Sequence, residues 1–262
     1  TFNGAYGYRW RTAWQGAKGE GTPFADQLER IIRHLSDNPE SRRAVLQMWN
    51  VEDDLLKIDD SKDVCCNLSA MFSIRSELTG FLDGKTFLDM TVTNRSNDLI
   101  WGTLGANVVH FSFLQEYIAG RLGISMGKYY HFTNNLHVYK ELWDENANKW
   151  VNPYVTPRTQ HDPPLDYTDR HRGRVQLCLK DKWFDEELPT FVDSLLETTE
   201  RSWHNPFLHC VAWPMKLAFN AHKRRNYNLA LDCCQAIMAD DWKQEATRWI
   251  TQRKVAWESK GK

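Results

Sequence analysis

The amino-acid sequence predicts an α+β protein, and three observations carry that prediction. Apolar residues recur at helical spacing over 24–35 and again over 107–122. Residues 68–76 and 86–94 have the composition and length of neighbouring strands. From 206 to 254 the apolar spacing is helical again, so the chain combines both kinds of element.

Turn-forming residues set the predicted order of these elements. Residues 1–22 are predicted to be extended, and the first helix is predicted to begin near Thr22-Pro23 and to end at Asp37-Asn38-Pro39. Strands are further predicted at 43–51 and 128–139, on either side of the paired strands, which a turn near Asp83-Gly84 joins. Gly123 is predicted to end the helix at 107–122.

Composition limits the function classes. The chain has 262 residues and a formal net charge of −1, so no overall field attracts it to nucleic acid or to a membrane surface. No apolar run approaches the ~20 residues that span a bilayer, and the six cysteines show no CxxC spacing typical of zinc. We expect a reduced, cytoplasmic protein without a metal, a nucleic-acid partner or a membrane partner.

The composition changes after about residue 151, where a polar, proline-rich loop at 152–164 begins. We expect a catalytic core at 1–151, a linker with remaining core elements at 152–205, including a strand and a helix within 174–200, and a helical extension at 206–262. Structural packing is the expected role of that extension.

The stretch from Asn94 to Asn107 is the strongest functional signal, because polar groups and two glycines precede an apolar helix. Arg95 and Ser96 together suit a phosphate or carboxylate, whose oxygens a guanidinium fork and a hydroxyl can share. A surface ion pair between Arg95 and Asp98 is the alternative that spacing leaves open. The helix that follows is predicted to bury one face, formed by Val109, Phe113, Leu114, Tyr117 and Ile118.

Five motifs occur in order along residues 4–140: GAYGYRWR, NPESRRAVLQMWNV, CCN, RSNDLIWG…NVVHFSFLQEYIA and NNLHVY. Together they resemble the thymidylate synthase family, including its deoxynucleotide hydroxymethylase branch. The resemblance implies a curved mixed sheet with helices on one side and a partner subunit on the other. Family members normally carry a further segment ahead of the first motif, with a phosphate-loop arginine and a catalytic glutamate, so we expect the sequence to be a fragment.

The resemblance makes Cys66 the nucleophile that adds to C6 of a pyrimidine ring, with Arg95 beside both the thiolate and the substrate phosphate. By residue type alone, Cys66 would be a core cysteine. Cys65 stands where the family usually has proline, and we interpret it as a bystander. The resemblance also implies that Tyr6 lies near the C5 proton.

Further substrate contacts follow from the resemblance. Arg42 and Arg43 match arginines that cross a homodimer interface to the partner's substrate phosphate, and Ser96 would complete that phosphate site. His137 and Tyr139, on alternate positions of a predicted strand, would bind the sugar 3′-hydroxyl. On the residues alone, two adjacent cations are a solvated element end and His-x-Tyr is a core pair.

Base and cosubstrate are implied by three more positions. Asn107 offers a donor and an acceptor that match uracil, whereas cytosine-specific relatives carry aspartate there, so dUMP is favoured over dCMP. The turn at 102–106 is one residue longer than usual. Asp98 matches the aspartate that contacts the pterin of the cosubstrate 5,10-methylenetetrahydrofolate, and Trp10 belongs to the same cosubstrate region.

The product is left open between two outcomes. Asn67 follows the nucleophile where ordinary synthases have histidine, and hydroxymethylases also depart there. The chain lacks the usual synthase C-terminal closing segment, and a lid is what keeps water out. We therefore favour 5-hydroxymethyl-dUMP slightly over dTMP, as in a phage that makes modified pyrimidines. An inactive scaffold or binding module of the same fold is the non-enzymatic alternative.

Overall fold

The computed structural model describes residues 5–11, 26–60, 64–77, 84–144, 175–196 and 201–259. The chain forms two compact units, Thr1–Gln160 and His161–Lys262. The helix start at Thr22-Pro23, the turn residue Asp83 and the loop at 152–164 lie outside the described residues.

Helices and strands intermix in the first unit. The helices are α1 (Tyr6–Arg11), α2 (Gln27–Asp37) and α3 (Asn107–Leu122), with π-helical segments at Val51–Leu55 and Leu99–Ala106, and residues 140–144 are also helical. The strands are β1 (Val45–Gln47), β2 (Asn67–Glu77), β3 (Lys85–Asn94), β4 (Asn97–Asp98), β5 (Ser125–Thr133) and β6 (Leu136–His137).

One sheet has the order β1-β2-β3-β5, and β4 pairs with β6 in a second, two-stranded ladder. The pairing of β2 with β3 is antiparallel and that of β3 with β5 is parallel. Alternate residues of β3 are buried, which is the period of a strand with one covered face. Helix α3 packs on that face, and the shared core includes Leu88, Met90, Val92, Phe111, Leu114 and Ile118.

The paired strands and the helix at 107–122 confirm the sequence predictions. Gly123 ends α3 with φ 72°, a left-handed conformation that glycine adopts without a Cβ clash. Helix α2 begins after Asp26, whose carboxylate accepts the Leu28 and Glu29 N–H groups at 3.0 and 3.2 Å.

Four local predictions were wrong. The first motif is not extended: residues Tyr6–Arg11 form a helix that packing stabilises, with the rings of Tyr6 and Trp10 against Phe111. The predicted strand at 128–139 breaks at bends, so it becomes β5 and β6. The predicted strand at 43–51 shortens to β1 and runs into a π-helical segment. Val109 is half exposed, because the buried face of α3 is centred on Phe111.

The second unit contains helices α4 (Trp183–Asp193), α5 (Trp213–Lys223), α6 (Tyr227–Gln235) and α7 (Asp240–Glu258), with a 3₁₀ turn at Ser194–Leu196 and a π-helical segment at Leu208–Ala212. This confirms the helical pattern over 206–254, while no strand occurs in the described part of 174–200. Its main core is formed by Val211, Ala218, Ala221, Ala230, Cys234, Ile237, Ala239 and Ile250.

Within the described ranges, no helix combines the length and apolar character that crossing a bilayer requires. The same ranges contain no group of three or more His, Cys, Asp or Glu side chains arranged to hold a metal ion.

Candidate active site

Cys66 and Arg95 meet at the start of β2. The Arg95 Nη2 atom lies 3.7 Å from the Cys66 Sγ atom, and the Arg95 backbone N–H donates to the Cys66 carbonyl at 2.9 Å. The same guanidinium donates to the carbonyls of Val64 and Cys65, both at 3.0 Å. Arg95 therefore holds the backbone that carries the Cys66 thiol and places a positive charge beside its sulfur atom.

The neighbouring thiol is chemically different. Cys65 is buried, and burial raises the pKa of its thiol to about 11. Its Sγ atom donates to the Asn67 carbonyl at 3.2 Å, whereas Cys66 is half-buried. The two adjacent cysteines thus differ in burial and in the groups around their sulfur atoms.

Asp98 caps the π-helical segment Leu99–Ala106. Its Oδ1 atom accepts the backbone N–H groups of Ile100 and Trp101, while Arg95 is engaged with the 64–66 backbone. Arg95 and Asp98 therefore do not form the ion pair that their spacing in the sequence left open. The Asp98 Oδ2 atom is buried and has no hydrogen-bond partner among the described residues, so it remains available to a ligand N–H.

Asn107 is the first residue of α3, and the longer turn that precedes it belongs to the π-helical segment. The Asn107 N–H bonds back to the Gly102 carbonyl, a five-residue step typical of a π-helix, which takes up one more residue per turn than an α-helix. The Tyr6 hydroxyl donates to Asn107 Oδ1 at 3.1 Å. The π-helical segment thus accommodates the longer turn. Asn107 contacts Tyr6, which lies 101 positions earlier in the sequence.

Burial raises the pKa of the Tyr6 phenol above its ordinary value, and Cys65 and Cys66 act in the same direction. Tyr6 is therefore a neutral hydroxyl at physiological pH.

The hydrogen bonds continue from Asn107 into the sheet. Asn107 Nδ2 donates to Asn97 Oδ1 at 2.8 Å, Asn97 Nδ2 lies 3.3 Å from His131 Nε2, and the Tyr129 hydroxyl lies 3.0 Å from His131 Nδ1. We call the five residues Tyr6, Asn107, Asn97, His131 and Tyr129 the amide network. It joins α1, α3, β4 and β5 beside Cys66.

Ser96, His137 and Tyr139 form a second group. Ser96 Oγ and His137 Nδ1 are 3.5 Å apart, and the rings of His137 and Tyr139 meet edge-on with centroids 5.5 Å apart. Strand β6 ends at His137, so Tyr139 lies beyond the strand on which sequence analysis placed it. The structure nevertheless brings these three residues together.

The remaining predicted site residues are Arg42, Arg43 and Trp10. Arg42 and Arg43 are exposed just before β1, and within the described part of the chain no hydrogen bond or ion pair joins either guanidinium to Cys66 or Arg95. The rings of Trp10 and Tyr6 are tilted by 41° with centroids 6.2 Å apart, and the buried Trp10 Nε1 atom has no hydrogen-bond partner among the described residues.

Asn67, directly after Cys66, is turned into the sheet. It is fully buried, and its Nδ2 atom donates to the Thr93 carbonyl at 2.9 Å and to Asn94 Oδ1 at 2.8 Å. The asparagine therefore braces β2 against β3, where the pairing register shifts.

An ion pair that the sequence did not predict supports the backbone beside Cys66. Arg9 and Asp54 are both buried, with Nη1···Oδ2 and Nη2···Oδ1 distances of 2.6 and 2.9 Å. Asp54 Oδ1 also accepts the Cys65 N–H at 3.2 Å, so the pair fixes the backbone next to Cys66. In the sequence, the indication of this ion pair is Arg9, an arginine within the aromatic-rich first motif.

Asn97, His131 and Tyr129 were missed as well. Tyr129 and His131 occupy alternate positions of a predicted strand and so share one face, which is the signal that could have found them. Asn97 lies inside the recognised motif between two residues that sequence analysis assigned, and nothing local distinguishes its side chain.

Comparison with known proteins identifies the family. The thymidylate synthase family model matches residues 1–177, which is more than half of the chain. The chain belongs to the thymidylate synthase family. This confirms the resemblance and the α+β fold class predicted from the sequence. Members of this family are one-carbon transferases that use methylenetetrahydrofolate as cosubstrate, bind dUMP and act as dimers.

Individual members of the thymidylate synthase family differ in how much of the chain they match. Deoxyuridylate hydroxymethyltransferase of Pseudomonas phage M6 is 38% identical over 266 residues, covering 99% of this chain and 69% of the phage protein. Deoxyuridylate hydroxymethyltransferase of Bacillus phage SP01 is 39% identical over 140 residues, covering 53% of this chain and 34% of that protein. Thymidylate synthase of Streptococcus suis is 30% identical over 150 residues, covering 53% of this chain and 50% of that protein.

Proposed function

We propose that this protein transfers a one-carbon group from methylenetetrahydrofolate to C5 of dUMP and forms 5-hydroxymethyl-dUMP, with Cys66 as the nucleophile. The observation that carries this proposal is the 3.7 Å contact between Cys66 Sγ and Arg95 Nη2, made by a guanidinium that also binds the backbone of residues 64–65. The arrangement holds a half-buried thiol beside a fixed cation, which is how proteins activate cysteine nucleophiles.

The chemistry follows from this placement. The Cys66 thiolate adds to C6 of the uracil ring, which makes C5 a carbon nucleophile. The folate supplies the one-carbon group at the oxidation level of formaldehyde. C5 then bonds to that carbon and loses its own proton, and the bond between the carbon and the folate nitrogen breaks to release tetrahydrofolate. Water adds its oxygen to the new carbon and gives up a proton, and C6 releases Cys66. The nucleotide thereby gains CH2O in total.

The phosphate and the sugar have candidate partners. The Arg95 guanidinium has N–H groups left over beyond those that bind Val64 and Cys65, and Ser96 follows it directly. His137, in hydrogen-bond reach of Ser96, and its edge-on neighbour Tyr139 offer groups for a sugar hydroxyl.

The folate has a candidate partner in Asp98. Its buried Oδ2 atom has no hydrogen-bond partner within the described ranges, and a carboxylate oxygen suits the N–H groups of a pterin. Its other oxygen is anchored by the Ile100 and Trp101 N–H groups, so the carboxylate is held rigidly. Trp10 adds a half-buried aromatic side chain beside Tyr6.

The preference for hydroxymethylation over reductive methylation rests on the extent of the similarity. The alignment with the phage M6 hydroxymethyltransferase covers 99% of the chain and so includes the helical unit, whereas the alignment with the S. suis thymidylate synthase covers 53%. Both reactions share the Cys66 adduct and differ in whether water or hydride completes the product.

A homodimer would use the open face of the sheet. Val45 pairs with Met71, Met71 with Thr91 and Thr91 with Tyr130, which forms a row across the four strands. The three apolar members of this row, Val45, Met71 and Tyr130, are exposed, and Thr91 is half-buried. A second copy covering this row would bury it. Arg43 lies two residues before Val45, at the edge of that face, where a cation could reach a partner's substrate phosphate.

Product analysis tests the proposal. The protein is incubated with dUMP and methylenetetrahydrofolate in isotopically labelled water, and the nucleotide is identified by mass. The expected product carries an added CH2O whose oxygen comes from the solvent. An added CH2 with dihydrofolate formed would instead establish thymidylate synthesis.

Trapping with 5-fluoro-dUMP and methylenetetrahydrofolate tests the nucleophile, and the adjacent cysteines supply a matched control. The covalent adduct is expected in the wild type and in Cys65→Ala, and is expected to be absent in Cys66→Ala. A wild-type protein that forms neither adduct nor product would be a scaffold rather than an enzyme.

A further inference from the structure

The hydrogen bonds of the amide network have a fixed donor-to-acceptor direction. An amide nitrogen can only donate, so the contact between Asn97 Nδ2 and His131 Nε2 makes Nε2 the acceptor. The ring proton is then on Nδ1, which faces the Tyr129 oxygen. Burial lowers the pKa of His131, which agrees with the neutral ring that this pattern requires.

The direction determines how the amide of Asn107 is turned. Asn97 directs its nitrogen to His131 and therefore its oxygen to Asn107, where it accepts from Nδ2 at 2.8 Å. The Tyr6 hydroxyl donates to Asn107 Oδ1 on the other side. Within the described part of the chain, each end of the Asn107 amide keeps one unused hydrogen-bonding position, a second N–H on Nδ2 and a second lone pair on Oδ1.

The room for this bond is provided by Gly102. A Cβ atom at that position would lie 1.9 Å from Asn97 Oδ1 and 3.0 Å from Asn107 Nδ2. The π-helical segment therefore passes over the amide pair at a distance that only glycine permits.

Uracil and cytosine differ in the order of donor and acceptor that they present on one edge. Uracil offers an N3–H donor and an O4 acceptor, while cytosine offers an N3 acceptor and an exocyclic N–H donor. An amide held in one orientation matches one order and opposes the other, and a free amide can rotate to match either.

We propose that Asn97 and His131 are positioning residues that lock the Asn107 amide in one orientation and thereby set the preference for uracil over cytosine. The inference rests on the proposed function, because it requires Asn107 to face the base. Turning over the Asn107 amide in the intact network breaks its hydrogen bonds with Tyr6 and Asn97. Those bonds can re-form only if the Asn97 amide also turns over and the His131 ring proton moves to the other nitrogen.

The test compares binding of dUMP and dCMP to the full chain by titration calorimetry. Asn97→Ala and His131→Leu should each reduce the dUMP-to-dCMP affinity ratio by roughly 10- to 100-fold, since each hydrogen bond that opposed rotation contributes about tenfold. His110→Leu is the matched control, because His110 lies edge-on to Tyr6 at 5.7 Å and is exposed. It should keep the wild-type ratio.

Asn97→Asp separates positioning from a general structural role. A carboxylate still accepts from Asn107 Nδ2, while its second oxygen accepts from His131 after the ring changes tautomer. This variant should keep the uracil preference that Asn97→Ala loses. A wild-type ratio in folded Asn97→Ala or His131→Leu, or loss of the preference in Asn97→Asp equal to that in Asn97→Ala, would overturn the proposal while leaving the proposed function intact. A wild type that binds neither nucleotide would overturn both.

Discussion

Removing the carboxylate of Asp54 should destabilise the first unit more than any exposed charge substitution. Asp54 and Arg9 are 0% and 1% exposed, so Asp54→Ala leaves a guanidinium in the protein interior without its counter-ion. Breaking one side of a buried ion pair costs about 3–5 kcal/mol. The expected rise in the unfolding equilibrium constant is therefore between roughly two and four powers of ten.

The structure explains why this cost should fall in that range. Besides the two contacts to Arg9, Asp54 accepts the Asn50 and Cys65 N–H groups at 2.8 and 3.2 Å, so several donors lose their acceptor at once. The buried Arg9 Nη1 atom also donates to the Met48 carbonyl at 2.8 Å, and a neutral carbonyl does not balance the charge of the guanidinium. Because Cys65 precedes the proposed nucleophile Cys66, turnover should also fall in molecules that remain folded.

Urea denaturation followed by circular dichroism measures the effect. Glu77→Ala is the control within the same unit, because Glu77 pairs with Arg75 at an exposed site, and its removal should change the free energy of unfolding by less than about 1 kcal/mol. In a double-mutant cycle, Arg9→Met and Asp54→Ala should show a coupling of about 2–3 kcal/mol. A cost below about 1 kcal/mol for Asp54→Ala, or additive effects, would refute the reasoning.

The same residue predicts a pH dependence. Burial raises the pKa of Asp54, but hydrogen bonds from Arg9, Asn50 and Cys65 outweigh it and hold that pKa below its ordinary value. Its folded-state pKa is thus below the unfolded one, so the ionised carboxylate contributes stability above about pH 4 and loses it as pH falls through the folded value. The difference in unfolding free energy between wild type and Asp54→Asn should shrink over that acidic window; a constant difference would contradict the assignment.

Three further predictions follow from single positions. Gly102→Ala should lower the uracil preference about as much as loss of Asn97, because the new Cβ occupies the space of the amide bond; an unchanged dUMP-to-dCMP affinity ratio would contradict this. Mixing Cys66→Ala with Arg42→Ala protein should restore part of the activity that each variant lacks, if the arginine serves a partner's site, and no recovery in confirmed mixed dimers would exclude that arrangement. Gly123→Ala should cost about 1 kcal/mol in urea denaturation because φ is 72°, and Gly123→Asn should cost less, since asparagine tolerates this conformation better.

Local sequence signals were sufficient for several parts of the fold. The helix from Asn107 to Leu122 and its end at Gly123 follow from apolar spacing and from one residue that adopts positive φ, both of which act within a few turns. Strands β2 and β3 follow from their composition and from a turn between them. Cys66 and Arg95 could be proposed as partners because a motif resemblance carries information that local periodicity does not.

Local signals failed where distant contacts decide the conformation. The first motif was expected to be extended, yet it is a helix because Arg9 reaches Asp54, 45 residues away, and because its aromatic rings pack on α3. The longer turn at 102–106 gave no local signal of its conformation, yet it lies in the π-helical segment Leu99–Ala106, which has non-helical backbone angles at Gly105.

By itself, the sequence determined the α+β class, the family, the helical second unit and the residue types of the proposed active site, since periodicity and motif order are properties of the chain. Only the tertiary structure decided which of those side chains meet. Asn97 and His131 are 34 positions apart, and their bond exists because β4 and β5 are brought together in space. The orientation of the Asn107 amide depends on that bond, because a hydrogen bond has a direction that only its partners can set.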